Sequence, residues 1–440
     1  MVKPHRRSLD PEQERVSKRV PERVAMFKKI LAVPERLRSE LSSTFRSLRN
    51  RDYRVYSIGQ LISLAGTFMQ NVAQSWVVYQ LTSSALMLAL VGVAGFAPTF
   101  LLSLVGGSVA DRYDRRKVIV ITQWLDLIAA AIMAVLFFTH VLQIWMILAL
   151  AAFTGVVTAF EMPARQAYVP ELVEGRDMVN VVSINSSIMS FTRLLGPALG
   201  AALLAGFGEG LVFALNALSY VAAIVTLHMV KPKAEEAVAG GKSAEHDGET
   251  VSIKDGLKFV LASATIKNVL IMTAFVSLFG MQFSILMPVF VSKVLHRSSG
   301  ALGVLTAASA LGSLLGALII ANRGQAGTLK RVLGVASIGV AIGLSAFALS
   351  GLFWLSATVA VFLGLSTSVQ MNSSNALMQL SATDQVRGRI MSIYSMCFFG
   401  LVPIGSVLFG KIADAYGAPL SVGICAVMCS IGSLYYLTRK

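Results

Sequence analysis

Twelve times between Tyr53 and the C-terminus the chain runs apolar for about 20 residues, the length a helix needs to cross a hydrocarbon core of about 30 Å. The runs fall at about 55–80, 86–110, 117–139, 142–162, 180–206, 210–230, 267–292, 300–321, 329–350, 353–379, 386–413 and 418–437. One soluble core needs no such series, and the short alternating segments of a β-barrel are absent. Only 14% of the 440 residues are charged, against about 25% in soluble domains. The expected class is an all-α membrane protein with 12 transmembrane helices.

A polar stretch divides the runs six and six. This sets four expected regions: a basic tail at 1–50, a first helical unit at 51–230, a linker at 231–266 and a second unit at 267–440. The linker ends in a short amphipathic pattern, SIKDGLKFVLASATIK. Its Gly240-Gly241-Lys242-Ser243 lacks the first Gly of a phosphate loop and follows no strand, so no nucleotide site is expected. Shifting the chain by 209 residues pairs Met162 with Met371, Ala167 with Ala376, Ser183-Ile184 with Ser392-Ile393, Gly196 with Gly405, Leu199 with Leu408 and Gly208 with Gly417. Such repeats build many transporters from two bundles around a midplane site, and two pseudo-symmetric six-helix bundles are expected here.

Positive charge sets the orientation. Of 38 Lys and Arg residues, only Lys293, Arg297 and Lys411 fall on the outward side and only Arg193 within a span. Both termini are therefore expected in the cytoplasm of a bacterial inner membrane, with no cleavable leader in the basic first 50 residues. The asymmetry accounts for most of the +15 net charge without nucleic acid. The tail reads as an arm lying on anionic lipid. Cys397, Cys425 and Cys429 sit in apolar runs without His or acidic neighbours and read as packing residues, with no metal or other cofactor.

Between the second and third runs lies Gly107-Ser-Val-Ala-Asp111-Arg112-Tyr-Asp114-Arg115-Arg116-Lys117. Gly107 would let helices approach closely, and Asp111 could pair with Arg or face the positive N-terminus of a neighbouring helix. Such a latch would hold one conformation and release it in another; the plain alternative is a surface loop whose charge only sets topology. This segment resembles the cytoplasmic loop signature of the major facilitator superfamily, with Asp114 where a second Gly is usual. Residues 46–82 and Asp255-Gly-Leu-Lys-Phe259 resemble the enterobactin-exporter-like and macrolide-efflux-like branch, over essentially residues 46–440. The resemblance implies export of a small organic molecule driven by proton exchange. Uptake symport on the same fold, or a receptor without transport, stays open. An enzyme is not expected.

In the fifth run, Gly196, Pro197 and Gly200 resemble an antiporter motif with Ala201 in place of its last Gly; a helix-packing seam explains them as well. Arg193 is more unusual. It lies about 15–20 Å inside the span, on a face with Ser186, Ser190 and Pro197. Such a charge usually faces water or an acid, and Asp126 or Glu161 is the expected partner. Polar stripes mark other runs: Gln60, Ser63, Thr67, Gln70 and Gln74, with Asn71 beside them, in the first; Thr154, Thr158, Glu161 and Arg165 in the fourth; Gln370, Asn372 and Asn375 in the tenth. They would either line a central cavity or join helices to one another. A cavity with few acids suits a neutral, zwitterionic or anionic solute, and no obligate protein partner is evident.

The charge asymmetry yields a labelling test. A cysteine at position 245 should react only from the inside of intact cells, and one at Ser298 or Ser299 only from outside; outside reaction at 245 would overturn the topology.

Overall fold

Helix ends are set by side chains that satisfy free backbone groups. Asn50 accepts from the amides of Asp52 and Tyr53 to start α1 (Arg51–Thr82), and Ser83, in the left-handed region, ends it. Ser84 starts α2 (Ala85–Arg112), and Asp114 starts α3 (Arg115–Phe138) by accepting from Lys117 N. Then come α4 (Ile144–Tyr168), a short 3-10 turn at Val169–Leu172, α5 (Met178–Phe207) and α6 (Glu209–Met229). The second half comprises α7 (Ala264–Lys293), interrupted by a π turn at Val276–Gly280, and α8 (Ser299–Ala321), α9 (Ala326–Leu349), α10 (Phe353–Ser381), α11 (Arg387–Tyr416) and α12 (Ala418–Thr438). This computed structural model describes residues 46–173, 178–230, 260, 263–321, 326–382 and 387–439. The basic tail through residue 45, most of the linker and its amphipathic pattern lie outside the described residues.

Eleven of these helices are long and apolar enough to cross a membrane. The exception is α1, because its polar stripe lowers its hydropathy. That stripe is covered: Ser63 Oγ donates to Gln123 on α3, Thr67 meets Tyr220 Oη on α6 at 3.2 Å, and Gln70 accepts from Asn216 Nδ2 on α6 at 2.6 Å. These three polar groups are satisfied within the protein, as a bilayer demands.

Packing repeats with an offset of six helices. Helix α1 packs on α5 and α6 as α7 packs on α11 and α12, and α2 packs on α4 as α8 packs on α10. Glycines make the closest crossings. A Cβ at Gly106 would collide with the Ala159 carbonyl on α4, and one at Gly155 with the Gly95 carbonyl on α2. The second half repeats this: Gly312 lies against the Val361 carbonyl and Gly364 against that of Ser309. The 209-residue shift joins Gly155 to Gly364. It also joins Gly196, on the α1 backbone at Ala65, to Gly405, on the α7 backbone at Leu278. Gly208 and Gly417, paired by the same shift, both turn the chain between antiparallel helices at φ +79° and +91°, where a side chain would be strained.

Gly107 does not play the part expected of it. Open space surrounds it, and its neighbour Gly106 makes the close contact. The sequence placed the motif correctly but could not tell which face of α2 meets α4.

The apolar core is continuous at one end and divided at the other. At the end away from the α2–α3 loop, one cluster joins residues of both halves, among them Trp76, Leu88, Phe213, Phe290, Leu305 and Phe409. At the loop end there are two clusters. One, around Tyr53, Ile119, Tyr168 and Leu227, belongs to the first half; the other, around Ile266, Leu333, Met378 and Tyr394, belongs to the second.

The glycine crossing predicts a contrast between adjacent residues. Gly106→Ala should lower the melting temperature of the detergent-purified protein, at a cost of about 1–3 kcal/mol for overpacking. Gly107→Ala should leave it unchanged or raise it, since Ala favours helix by up to about 1 kcal/mol. Equal effects would refute the assigned contact.

Candidate transport cleft and gating residues

The divided end of the core carries the α2–α3 loop, and three of that loop's charged side chains are engaged within the first half. Arg115 pairs with Glu171 and donates to the Ala110 carbonyl at 3.3 Å. Arg116 donates to the carbonyls of Leu227 and His228, covering the C-terminal end of α6. Asp114, where a second Gly is usual, caps α3 instead, which defines the turn. Asp111 and Arg112 are exposed, and among the described residues no Arg and no helix N-terminus is paired with Asp111.

The antiporter-like residues form a seam. Gly196 fits against Phe68 and the Ala65 carbonyl, and Gly200 against Met69, so both seat α5 on α1; Pro197 is buried in the same helix. Ala201, in place of the motif's last Gly, and Ala205 meet Gly303 and Gly300 of α8 in the other half. That contact lies in the half of α5 away from the loop end.

Three charges sit well inside the spans, and they do not combine as the sequence suggested. Glu161 accepts from Gln123 Nε2 at 2.7 Å and pairs with Arg165, one turn along α4. Asp126, 7% exposed, lies within electrostatic reach of the same guanidinium. Two buried carboxylates thus share one Arg among α3, α4 and α6. Arg193 pairs with neither acid and is exposed on α5. Spacing had shown that Arg193 lies on a polar face; the partner of each acid depends on which helices are neighbours.

The remaining polar candidates divide between cohesion and exposure. Gln60 borders a cavity of about 10 Å³ with Tyr56, Gln123 and Arg165. Gln70, like Ser63 and Thr67, joins helices of the first half. Asn71 is exposed and Gln74 half-buried. On α10, Gln370 is buried and donates to Ser374, Asn372 donates to the Ser368 carbonyl, and Asn375 accepts from Gln379. Ser368 in turn donates to the Ser313 carbonyl on α8, so this stripe also holds helices together.

One residue at the continuous end was not singled out by the sequence. Asp414, near the end of α11, accepts from Ser84 Oγ and Ala85 N at 2.5 Å and from Leu86 N at 3.1 Å. These groups form the N-terminus of α2, where a carboxylate is favoured by unsatisfied amides and the helix dipole. The contact ties the second half to the first. Beside it, Tyr79, Ser83, Lys293 and Asp414 border a cavity of about 460 Å³. A single acid at a span end carries no spacing signal, which is why it escaped notice.

The sequence profile of a family described as transmembrane secretion effector matches residues 42–440. Among characterised proteins, the chain is 24% identical to the staphyloferrin A transporter of Staphylococcus aureus, over 85% of its own length and 93% of that protein's. It is 23% identical to macrolide efflux protein A of Streptococcus pyogenes (84% and 91%) and 26% identical to the multidrug efflux pump Tap of Mycolicibacterium fortuitum (80% and 87%). Solved structures share the fold. A bacterial homologue of the iron transporter ferroportin, in an inward-facing state, superposes with TM-score 0.66 at 17% identity over 88% of this chain and 98% of that one. A bacterial homologue of the lysosomal transporter Spinster, inward-facing and unoccupied, gives 0.66 at 13% identity over 89% and 96%.

The α11–α2 contact predicts how the continuous end opens. Asp414→Ala removes all three hydrogen bonds, each charge-assisted bond being worth about 1.5–3 kcal/mol. A cysteine at Leu86 should then react with an impermeant maleimide at least about tenfold faster, and Asp414→Asn should give an intermediate rate. Identical rates in all three backgrounds would show that Asp414 does not hold this end closed.

Proposed function

We propose that this chain, which belongs to the transmembrane secretion effector family of major facilitator transporters, exports a small organic molecule across the bacterial inner membrane in exchange for protons. Two six-helix bundles, α1–α6 and α7–α12, rock about a site between them. The observation that carries the reading is the core itself, joined across the halves at one end and divided at the other. A chain with that construction can expose a midplane site to one side at a time. The relatives' names, a siderophore transporter and two efflux proteins, favour export over uptake.

The excess of Lys and Arg in the loop-end segments places that end, with both termini, in the cytoplasm. The divided core then opens inward and Asp414 closes the outer end. Asp111 has no partner among the described residues because its partner lies across the open side; it engages a helix of the second bundle when that side closes. Arg115 and Arg116, held by Glu171 and by α6, fix the loop's position throughout the cycle. Asp126 and Glu161 are the candidate proton carriers. With one guanidinium between two carboxylates, a proton can leave or join the group without leaving both acids uncompensated.

Everted vesicles containing the protein test this reading. On imposing a pH gradient, acid inside, labelled erythromycin and staphyloferrin A serve as first substrates. Accumulation that collapses with a protonophore supports proton-driven export, and accumulation indifferent to the gradient refutes the coupling. In the same vesicles Asp111→Asn should insert normally and melt within about 1 °C of wild type, yet turn over at least about tenfold more slowly, each tenfold corresponding to about 1.4 kcal/mol. Unaltered turnover would remove Asp111 from the mechanism.

A further inference from the structure

The charges inside the spans are segregated by sign. Asp126 and Glu161, 7% and 9% exposed, are turned into the packed interior of the first half and share Arg165. Arg193 is the one exposed charge in the middle of a span among the described residues. It lies midway along α5, 15 residues from Met178 and 14 from Phe207. The two ion pairs, Arg115–Glu171 and Arg165–Glu161, exclude it, and no hydrogen-bond acceptor is assigned to its guanidinium.

The direction it takes follows from the two seams of α5. Gly196 and Gly200 mark the seam with α1; Ala201 and Ala205 mark the seam with α8 of the other half. At about 100° per residue, Arg193 projects about 60° from Gly196 and about 80° from Ala201, between the two seams. Exposed Phe191 and Leu199 project about 160° and 120° away from it, toward the outer side of the bundle. Arg193 sits about two to three turns nearer the loop end than the α5–α8 contact, where the core has already divided. It therefore faces the space between the halves, not lipid. Ser190 lies on the same side and is half-buried, with its hydroxyl donating to the Ser186 carbonyl.

We infer that Arg193 is the recognition group for an anionic substrate: the transported molecule carries a carboxylate or a similar planar anion that docks on this guanidinium between the halves. A guanidinium offers a planar fork of donors matched to a carboxylate. With the acids of the spans withdrawn into the first half, nothing in the cleft's described charge opposes an anion, while a cation would meet Arg193 unshielded. This rests on the transport reading above and narrows the chemistry of the substrate.

The test uses three probes that share one fluorophore: dansylglycine (an anion), dansylglycinamide (neutral) and dansylethylenediamine (a cation). Saturable fluorescence enhancement is measured on full-length protein in nanodiscs. Wild type should bind dansylglycine at least about tenfold more tightly than the amide, with the cation weakest. Arg193→Gln should reduce the anion's affinity by about tenfold or more and leave the amide's unchanged, which also shows that the variant is folded. Arg193→Lys should keep part of the preference. No preference for the anion in wild type, no saturable binding of it, or a preference that survives Arg193→Gln would each overturn the inference. The same preparation in acid-loaded vesicles separates the two claims. Gradient-driven movement without anion preference removes the Arg193 site alone, and anion binding without any driven movement removes the transport reading and leaves the site.

Discussion

A charge held midway along a membrane span costs about 2.5–3.5 kcal/mol on insertion scales unless a neighbour or water compensates it. Three such charges organise this chain. The two acids are compensated inside the first half by Arg165, Gln123 and the polar side chains of α1, and that requirement draws α1, α3, α4 and α6 into one cluster. The cation is compensated differently, by standing at the gap between the halves. The helix that lowers its own hydropathy most, α1, does so because its amides and hydroxyls complete this interior. A more apolar α1 would insert more readily and deprive Asn216 Nδ2 and Gln123 Oε1 of the partners that Gln70 and Ser63 supply.

The second organising element is the approach of backbones at glycine. Lipid supplies no hydrophobic drive between helices, so close packing has to come from small residues. Gly106 with Gly155, and Gly312 with Gly364, bring α2 to α4 and α8 to α10 at the range of carbonyl contact. Each half is thereby stiffened along one helix pair, and rigid halves are what a rocking mechanism needs.

Much of the fold could be read from the sequence, because span length and positive charge are one-dimensional signals. Twelve helices stand where the apolar runs were, within a few residues except at the end of α4, which runs on to Tyr168, and the 209-residue repeat reappears in the turns at Gly208 and Gly417. The site could be read only in part. Spacing assigns a residue to a face of its own helix, and it did so correctly for Arg193 and for the α1 stripe. It does not say which helix lies opposite. So it offered Asp126 or Glu161 to Arg193 although Arg165 pairs with Glu161 and lies near Asp126, and it assigned to Gly107 the contact that Gly106 makes.

The two seams at the continuous end of the core are unlike, although the 209-residue shift relates them. Where α11 presents Asp414 to α2, the corresponding position in the first half is Ala205, which presents a methyl group to Gly300 of α8. Dispersion contacts between small residues weaken gradually as surfaces slide, whereas a carboxylate seated on a helix N-terminus is directional and lost over a short distance. One seam resists separation as a clasp does, the other as a bearing does. A molecule built by duplication has thus acquired a polarity of motion, with a side that unfastens and a side that swivels.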